Sequence, residues 1–327
     1  MTKLVYYIFY CISLLPFRGL YILSDIEYFF VYRLFGYRRK VVRRNLATAF
    51  PEKKEEELRS IERRFYHWFC DYFFEAMKLL SISDDELRQH FRITNPELFD
   101  NAVATGQNVA AFLGHYGNWE YLSTVSVYSQ SDWRMGLIYD PLHSKAFDYL
   151  FRRLRTSQPR GTVIPKKDIL RQLITWRREG TGYVAGYIAD QAPKWQNIHC
   201  WLPFLHHDTP VFTGAERITR KLNNQAIYVE MARPRRGYYT ATYHLLSDNP
   251  AALPEHELTR RFFQCLEETI QRDPVPYLWT HNRWKRTHEE FDRRFQIVHG
   301  KVIEKSEVPS KPSEGLSSPS PSEGGDV

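Results

Sequence analysis

The chain has 327 residues and a formal net charge of +7. Residues 1–50 carry eight basic side chains and only two acidic ones, Asp25 and Glu27. This local positive charge favours binding to an anionic membrane surface or to an acidic partner. The sequence contains no recognisable nucleic-acid-binding motif, so binding to nucleic acid is not expected. Its four cysteines lie far apart, which argues against a zinc ribbon or a disulfide framework and favours reduced thiols facing the cytoplasm.

Residues 1–36 are predicted to form a membrane anchor or helices at a membrane interface. Residues 4–15 are almost wholly apolar and aromatic, and after Pro16 and Arg18 the apolar pattern continues to residue 34. A spanning helix needs about 20 apolar residues, so each half is short, and one tilted span with snorkelling Lys3 and Arg18 is an alternative. A buried helical hairpin in a soluble protein is the third interpretation. A cleaved secretory signal is not expected, because the run lacks a small-residue cleavage site.

Residues 37–104 are predicted to form a helical subdomain. Residues 55–80 contain no Pro or Gly and carry apolar side chains at helical spacing, among them Phe65 and Trp68. This aromatic stripe is typical of core packing. Ser83, followed three positions later by Glu86, indicates the start of a further helix, because this pair satisfies the free N–H groups of a first turn.

The pattern alternates between strands and helices from residue 105 to residue 300, which indicates an α/β core. The predicted strands cover residues 109–113, 135–139, 182–188, 226–233 and 238–245. The predicted helices cover residues 120–129, 145–155, 168–178, 212–221 and 257–272. Residues 301–327 are rich in Ser, Pro, Glu and Gly and are predicted to be a disordered tail, because such a segment buries too little apolar surface to fold.

The most informative run is Gly-His-Tyr-Gly-Asn-Trp-Glu at residues 114–120, which directly follows the predicted strand 109–113. Glycines on both sides of His115 permit a sharp turn, Asn118 is suited to cap a helix, and Glu120 lies in its first turn. The turn can fold the imidazole back onto Glu120. His115 is therefore predicted to be a general base that Glu120 orients, with a core histidine beside a helix-capping glutamate as the alternative.

The run from His115 to Glu120 resembles the H-x4-D/E signature of glycerolipid-type acyltransferases. More closely, the chain resembles the lipid A secondary acyltransferases, the lauroyl/myristoyl acyltransferase family of Gram-negative bacteria, from about residue 40 to about residue 290. The resemblance implies a mixed sheet flanked by helices. It also rests on NLATAFP at 45–51, IYDPL at 138–142, Phe147-Asp148, Arg155, ADQAP at 189–193, DTPVFTG at 208–214 and WTHNRWK at 279–285.

The resemblance implies functional roles for four residues. His115 and Glu120 would form the catalytic dyad, Arg155 would be the functional arginine of the family, and Asp190 would be the aspartate that begins the D-Q block. Without the resemblance, a surface arginine in a basic run is the favoured interpretation of Arg155, and a turn or cap residue is an equal alternative for Asp190. Arg155 or backbone N–H groups next to Asn118 would stabilise the oxyanion.

The basic segment around Arg283 and Lys285 is a candidate contact for lipid phosphates, with a solvated loop as the alternative. The chain departs from the family at Asp140, where the family often has arginine, and the role of that positive charge would pass to Arg152 or Arg153.

The function implied by the resemblance is an O-acyltransferase at the cytoplasmic face of the inner membrane. It would move a fatty acyl chain from an acyl carrier protein thioester to the hydroxyl of a 3-hydroxyacyl chain on a lipid A precursor, with His115 as the base and no metal or cofactor. The alternatives are the same chemistry on another membrane glycolipid or aminolipid, or a non-catalytic lipid-binding protein.

Overall fold

A seven-stranded mixed sheet lies at the centre of the protein, in a computed structural model that describes residues 2–129, 132–157 and 160–305. The strand order is β1-β9-β8-β2-β5-β3-β4, and all neighbours are parallel except β8 and β9. Antiparallel pairs β6–β7 and β10–β11 form two small separate ribbons. The strands are β1 (Phe91–Ile93), β2 (Val109–Leu113), β3 (Trp133–Tyr139), β4 (Gly161–Pro165), β5 (Gly182–Ile188), β6 (Trp201–Phe204), β7 (His207–Pro210), β8 (Gln225–Arg235), β9 (Tyr238–Ser247), β10 (Phe295–Val298) and β11 (Lys301–Glu304).

Helices flank this sheet, and the predicted α/β class is confirmed. The α-helices are α1 (Thr2–Ser13), α2 (Phe17–Tyr28), α3 (Arg39–Ala49), α4 (Glu55–Lys78), α5 (Asp84–His90), α6 (Glu97–Ala104), α7 (Lys145–Arg155), α8 (Ile169–Arg178), α9 (Gly214–Leu222), α10 (Glu257–Arg272) and α11 (His288–Arg294). A π-helical turn, Phe29–Leu34, extends α2, and short 3-10 helices lie at Trp119–Tyr128, Trp195–Asn197 and Pro250–Ala252.

Strand β2 lies in the middle of the sheet, and its burial explains why its sequence is apolar throughout. Its five residues are all buried, because parallel neighbours and helices cover both faces, and such a strand is apolar throughout. In the adjacent strand β5, Ile188 pairs with Leu113. The chain segments that follow β2 and β5 therefore leave the sheet side by side at the same edge.

One hydrophobic cluster joins the N-terminal helices, α4 and the sheet. The aromatic stripe of α4 is core, as predicted: Phe65 and Trp68 have no exposed surface. The predicted cap of α5 is also confirmed, because the Ser83 hydroxyl accepts a hydrogen bond from the Glu86 N–H.

The N-terminal helices bend sharply against each other. Helix α1 and the helix from Phe17 to Leu34 meet the length and composition criteria for a membrane span only together, and the chain bends by 119° between them. In the described part of the chain, no single helix is both long and apolar enough to cross a membrane.

Two sequence predictions about local structure are wrong. Residues 119–128 form a 3-10 helix rather than the α-helix expected at 120–129. Residues 301–304, expected to belong to a disordered tail, instead form a strand, because Lys301–Glu304 pairs with Phe295–Val298 in a β-hairpin. Residues 306–327, the rest of the predicted tail, lie outside the described residues.

Candidate active site

His115 and Asp190 are brought together by the register of two adjacent parallel strands. His115 lies two residues after Leu113 at the end of β2, and Asp190 lies two residues after its paired residue Ile188 at the end of β5. The His115 ring donates from Nδ1 to Asp190 Oδ1 at 2.6 Å, and the His115 backbone N–H donates to Asp190 Oδ2 at 3.0 Å. Such crevices at the carboxyl ends of strands are where open α/β sheets bind ligands.

Asp190 is held as a carboxylate. Its burial by itself would raise the pKa of the carboxyl group, but its charge interaction and hydrogen bonds with His115 outweigh this effect and lower the pKa. An ionised aspartate on Nδ1 fixes the imidazole tautomer and stabilises a positive charge on the ring.

The other ring nitrogen of His115, Nε2, contacts Gln191. The Gln191 amide nitrogen lies 3.1 Å from His115 Nε2, so the tautomer with its proton on Nδ1 satisfies both contacts. The Trp119 ring packs edge-on against the imidazole at a centroid distance of 5.0 Å. In that tautomer Nε2 accepts the Gln191 hydrogen bond, which a substrate hydroxyl would have to replace.

Glu120 has a different partner from the one expected. Arg155 of α7 donates from Nε and Nη2 to the two Glu120 oxygens at 2.8 and 2.6 Å, which is a bidentate ion pair. The predicted orientation of His115 by Glu120 is corrected by this arrangement, because Asp190 occupies Nδ1 and the 3-10 helix directs Glu120 toward α7. The Arg155 side chain is only 20% exposed and pairs with a buried carboxylate, so the simple surface interpretation does not hold.

The turn around His115 depends on glycine and on a partner segment. Gly117 has φ +60°, and a Cβ there would lie 3.0 Å from the Met231 Cβ, so both conformation and space require glycine. The Gly117 N–H donates to the Pro276 carbonyl at 2.8 Å, and the Leu278 N–H donates to the His115 carbonyl at 3.1 Å. The Gly117 N–H is thus already occupied and is not a free donor for an oxyanion.

The Asn118 side chain points to α4 and does not cap the 3-10 helix that follows it. Its side chain has no exposed surface and makes no capping hydrogen bond. Instead, Nδ2 donates to the Tyr72 carbonyl and to Glu75 Oε2, both at 3.4 Å on α4. The expected cap is wrong, and the side chain ties the turn to α4.

The segment after α10 contains two groups near Asp190: Arg283, which was predicted to contact lipid phosphates, and His281, for which no role was predicted. Arg283 is 2% exposed and donates to the Pro210 carbonyl at 2.7 Å, so its guanidinium does not face lipid phosphates, whereas Lys285 is exposed. Burial lowers the pKa of Arg283 to about 10. The electrostatic partners of Asp190 include Arg283 and His281, and burial lowers the pKa of His281 to about 4. The only sequence signal for His281 was its place in the WTHNRWK block.

A largely apolar pocket adjoins Glu120 and Arg155. Its volume is about 40 Å³, enough for a few water molecules, so it is a narrow cleft. The ends of three strands and the 3-10 helix form its walls, with the ion pair as the main polar feature. The lining residues are Leu113, Trp119, Glu120, Leu122, Ser123, Met135, Leu137, Ile138, Arg155, Gly186 and Ile188.

The arrangement suits proton abstraction beside an apolar chain. The His115 imidazole is backed by a buried carboxylate, Trp119 contacts the imidazole and also lines the apolar pocket, and the Glu120–Arg155 ion pair lines the same pocket. Among the described residues, no group of three or more His, Cys, Asp or Glu side chains is arranged to hold a metal ion.

Comparison with protein families identifies a family that matches most of the chain. Residues 1–286 match the model of the family described as bacterial lipid A biosynthesis acyltransferase. This span covers most of the chain and includes His115, Arg155 and Asp190. Comparison with curated proteins gives no match.

Proposed function

The chain belongs to the bacterial lipid A biosynthesis acyltransferase family and is an acyltransferase, and from this premise we propose its substrates and mechanism. The proposed donor is a fatty acyl thioester of acyl carrier protein. The proposed acceptor is the hydroxyl of a 3-hydroxyacyl chain on a lipid A precursor, at the cytoplasmic face of the inner membrane. A chain with net charge +7 is suited to these two anionic partners.

The observation that supports this mechanism most strongly is the contact between His115 and Asp190. His115 Nε2 takes the proton from the acceptor hydroxyl as its oxygen attacks the thioester carbonyl carbon. The tetrahedral intermediate then collapses, the carbon–sulfur bond breaks, and the imidazolium returns its proton to the leaving thiolate. Asp190 is a positioning residue that holds the Nδ1 proton and stabilises the imidazolium between these steps.

Glu120 and Arg155 take a joint role in this proposal. Glu120 holds the guanidinium through Nε and Nη2, which leaves the third nitrogen, Nη1, outside the pair. Arg155 thereby supplies a fixed positive charge at the edge of the pocket, where an oxyanion develops as the thioester is attacked. Glu120 is a positioning residue for Arg155 rather than for His115.

The apolar pocket is the proposed binding site for part of the donor acyl chain, and its side chains would have to move apart to admit the whole chain. Its walls are aliphatic and aromatic side chains, and its polar rim at Glu120 and Arg155 lies where the thioester carbonyl would stand. A chain seated there places its carbonyl carbon near the His115 turn, which lies at the same edge of the sheet.

The test is acyl transfer with purified protein. Acyl carrier protein thioesters and a tetra-acylated lipid A precursor are supplied, and products are identified by mass spectrometry. We expect one added acyl chain, lost in His115→Ala. The exposed pair of His288 and Asp208 provides a matched control, because its Nδ1–Oδ2 distance is also 2.6 Å but it lies outside the site. His288→Ala is expected to retain activity.

The result that would overturn the proposal is transfer that persists unchanged in His115→Ala, or no transfer to any acceptor. A panel that includes other glycolipids and aminolipids distinguishes a different acceptor from a protein that only binds lipid. Transfer to one of those acceptors, lost in His115→Ala, would retain the chemistry and replace the substrate.

A further inference from the structure

The N-terminal helices carry most of the exposed apolar side chains of the protein. Of the 18 exposed large hydrophobic residues in the described chain, 12 lie between Leu4 and Tyr37. Ile22 on α2 is 64% exposed and Phe35, directly after the π-helical turn, is 74% exposed. Single exposed apolar side chains are ordinary, whereas their concentration on two successive helices is typical of a site of interaction.

The opposite faces of the same helices are attached to the protein body. On α2, the Ser24 hydroxyl donates to Asp71 at 2.7 Å and the Tyr21 hydroxyl donates to Glu75 at 3.2 Å, both on α4. On α1, the Phe9 ring lies 5.5 Å from that of Phe73 on α4. Both helices therefore lie along the surface of the body, with one face packed and the other exposed.

The direction of the chain supports this arrangement. Helix α1 has 12 residues and a length of about 18 Å, against a hydrocarbon core of about 30 Å. The chain then bends by 119° into α2, which itself packs on the body. Continuing either helix across a bilayer would require it to leave α4.

The charge around the exposed apolar face is positive. Lys3, Arg18, Arg33 and Lys40 are exposed. Asp25, one of the two acidic residues in the segment, is paired with Arg236 at 2.6 Å. Such a combination of apolar and basic side chains is complementary to anionic lipid headgroups above an acyl layer.

The exposed face continues to the helix that carries Arg155. The Phe9 ring of α1 lies 6.1 Å from that of Phe147 in α7. Phe147 and nearby Leu142 are themselves 38% and 46% exposed. The apolar surface thus reaches the beginning of α7, whose last residue pairs with Glu120.

We propose that α1, α2 and the π-helical turn form an in-plane surface that inserts into one leaflet of an anionic phospholipid bilayer, with the start of α7 at the same level. This inference rests on the proposed membrane location of the protein. Both helices lie in the leaflet and neither crosses it. Lipid acceptors held in that leaflet would then reach the Arg155 side of the site along α7.

Vesicle flotation of the purified full chain tests the surface. We expect binding to vesicles of phosphatidylcholine with phosphatidylglycerol, and much weaker binding to phosphatidylcholine alone. Arg18→Glu with Arg33→Glu should weaken binding at least about tenfold, because each basic side chain near an anionic surface contributes about 1 kcal/mol. Arg171→Glu with Arg178→Glu, the same charge change on exposed α8, should leave binding much less affected.

Apolar insertion is tested separately. Ile22→Ser with Phe30→Ser is expected to weaken binding about a hundredfold, since two large apolar side chains no longer enter the leaflet. Leu245→Ser is the matched control, because Leu245 is 53% exposed on β9, away from the N-terminal helices. All these side chains are exposed, so circular dichroism should report unchanged folding.

The depth of fluorescent labels distinguishes in-plane insertion from a span. Labels are attached at Ile8→Cys, Ile22→Cys or Phe30→Cys after Cys11→Ser and Cys265→Ser, since the other two cysteines are buried. All three labels should be quenched best by spin labels near the headgroups. Quenching of the label at position 8 mainly from the bilayer centre would indicate a span and overturn the proposal.

Two further results would also overturn it. One is equal binding of the double Glu variant and the native chain. The other is a lipid-free dimer in sedimentation whose formation Ile22→Ser abolishes, because a second copy would then cover the face. None of these measurements needs acyl transfer, and His115→Ala should bind vesicles normally, so a failure of the proposed reaction remains distinguishable.

Discussion

His115 and Asp190 occupy equivalent positions two residues beyond paired residues of β2 and β5, with 2.6 Å between Nδ1 and Oδ1. The contact is thus determined by the central pair of parallel strands rather than by a flexible loop. Because both residues directly follow paired strand ends and are joined by two hydrogen bonds, this arrangement preorganises the base. Its consequences for activity can be measured.

Asp190→Asn should lower kcat by on the order of 10³- to 10⁴-fold with a much smaller change in KM. An amide accepts a weaker hydrogen bond from Nδ1 and favours the wrong tautomer of His115, as in hydrolases with a similar histidine–aspartate pair. Steady-state kinetics with saturating acyl donor separate the two parameters.

The matched control is Asp208→Asn, which removes the carboxylate from the exposed His288 and should leave kcat unchanged. An equal loss of kcat in the control would indicate a general structural effect. If Asp190→Asn retained the native kcat, Asp190 would not orient the base.

Glu120→Gln should lower the free energy of unfolding by about 3 kcal/mol, because the guanidinium of Arg155 would lose its charged partner while staying largely buried. Arg155→Lys should also lose most of its activity although it keeps the positive charge, since an ammonium cannot reproduce the bidentate geometry. Urea denaturation gives the stability, and the acyl-transfer assay gives the activity.

The double variant Glu120→Gln with Arg155→Gln supplies the control. The double variant should lose less stability than the sum of the losses in Glu120→Gln alone and Arg155→Gln alone, because the two side chains act as a pair. Strictly additive losses would show that the pair does not couple energetically.

The sequence predicted the strands that position the site more accurately than it predicted the contacts within it. Strands β2 and β5 have the predicted bounds, because continuous apolar runs are typical of buried parallel strands. The partner of His115 could not be derived in the same way. Five residues of separation made Glu120 plausible, whereas Asp190 is 75 residues away and becomes adjacent only through the strand order.

The elements that the sequence did not predict are short or lack a regular pattern. Strands β1 and β6 have three and four residues, too few for an alternating pattern to be recognised. The 3-10 helix from Trp119 to Tyr128 has no Pro or Gly to distinguish it from an α-helix in the sequence, and it packs against β1, β3 and β4. Burial of Arg283 was equally unpredictable, because a run of basic residues usually lies on a solvated face.

Glu27 should make the protein less stable as the pH rises from about 4.5 to about 7. Burial raises the pKa of this carboxyl group from 4.5 to about 7. A raised pKa in the folded state contributes stability that is fully present below the unfolded pKa and is lost as the pH rises through the folded pKa. After discounting for solvent screening at this partly exposed group, we expect a loss of about 1–2 kcal/mol.

Glu27→Gln should remove this dependence, which urea denaturation at about pH 5 and about pH 8 would measure in both proteins. Glu268→Gln, at an exposed position within α10, is the control and should retain the native slope. Identical slopes for Glu27→Gln and the native chain would show that Glu27 does not titrate in this range.

Gly186 should limit the length of the acyl chain that the pocket accepts. It lies on β5 in the pocket wall, and a Cβ added there would have ordinary contacts, 3.8 Å from the Gly136 carbonyl and 3.9 Å from Met135 Cε. Gly186→Ala should therefore fold normally, and Gly186→Val should fill more of the space. We expect Gly186→Val to shift the preference toward shorter donors, in competition assays with thioesters of several chain lengths.

Gly214→Ala provides the control for Gly186, because a Cβ at this position of α9 meets no atom within 4 Å and lies outside the pocket. It should keep the native chain-length preference. The shift should grow from Gly186→Ala to Gly186→Val, since each added methyl group removes space from the end of a chain. An unchanged chain-length preference in Gly186→Val would instead mean that the acyl chain binds elsewhere, because steric shortening of a pocket discriminates by length.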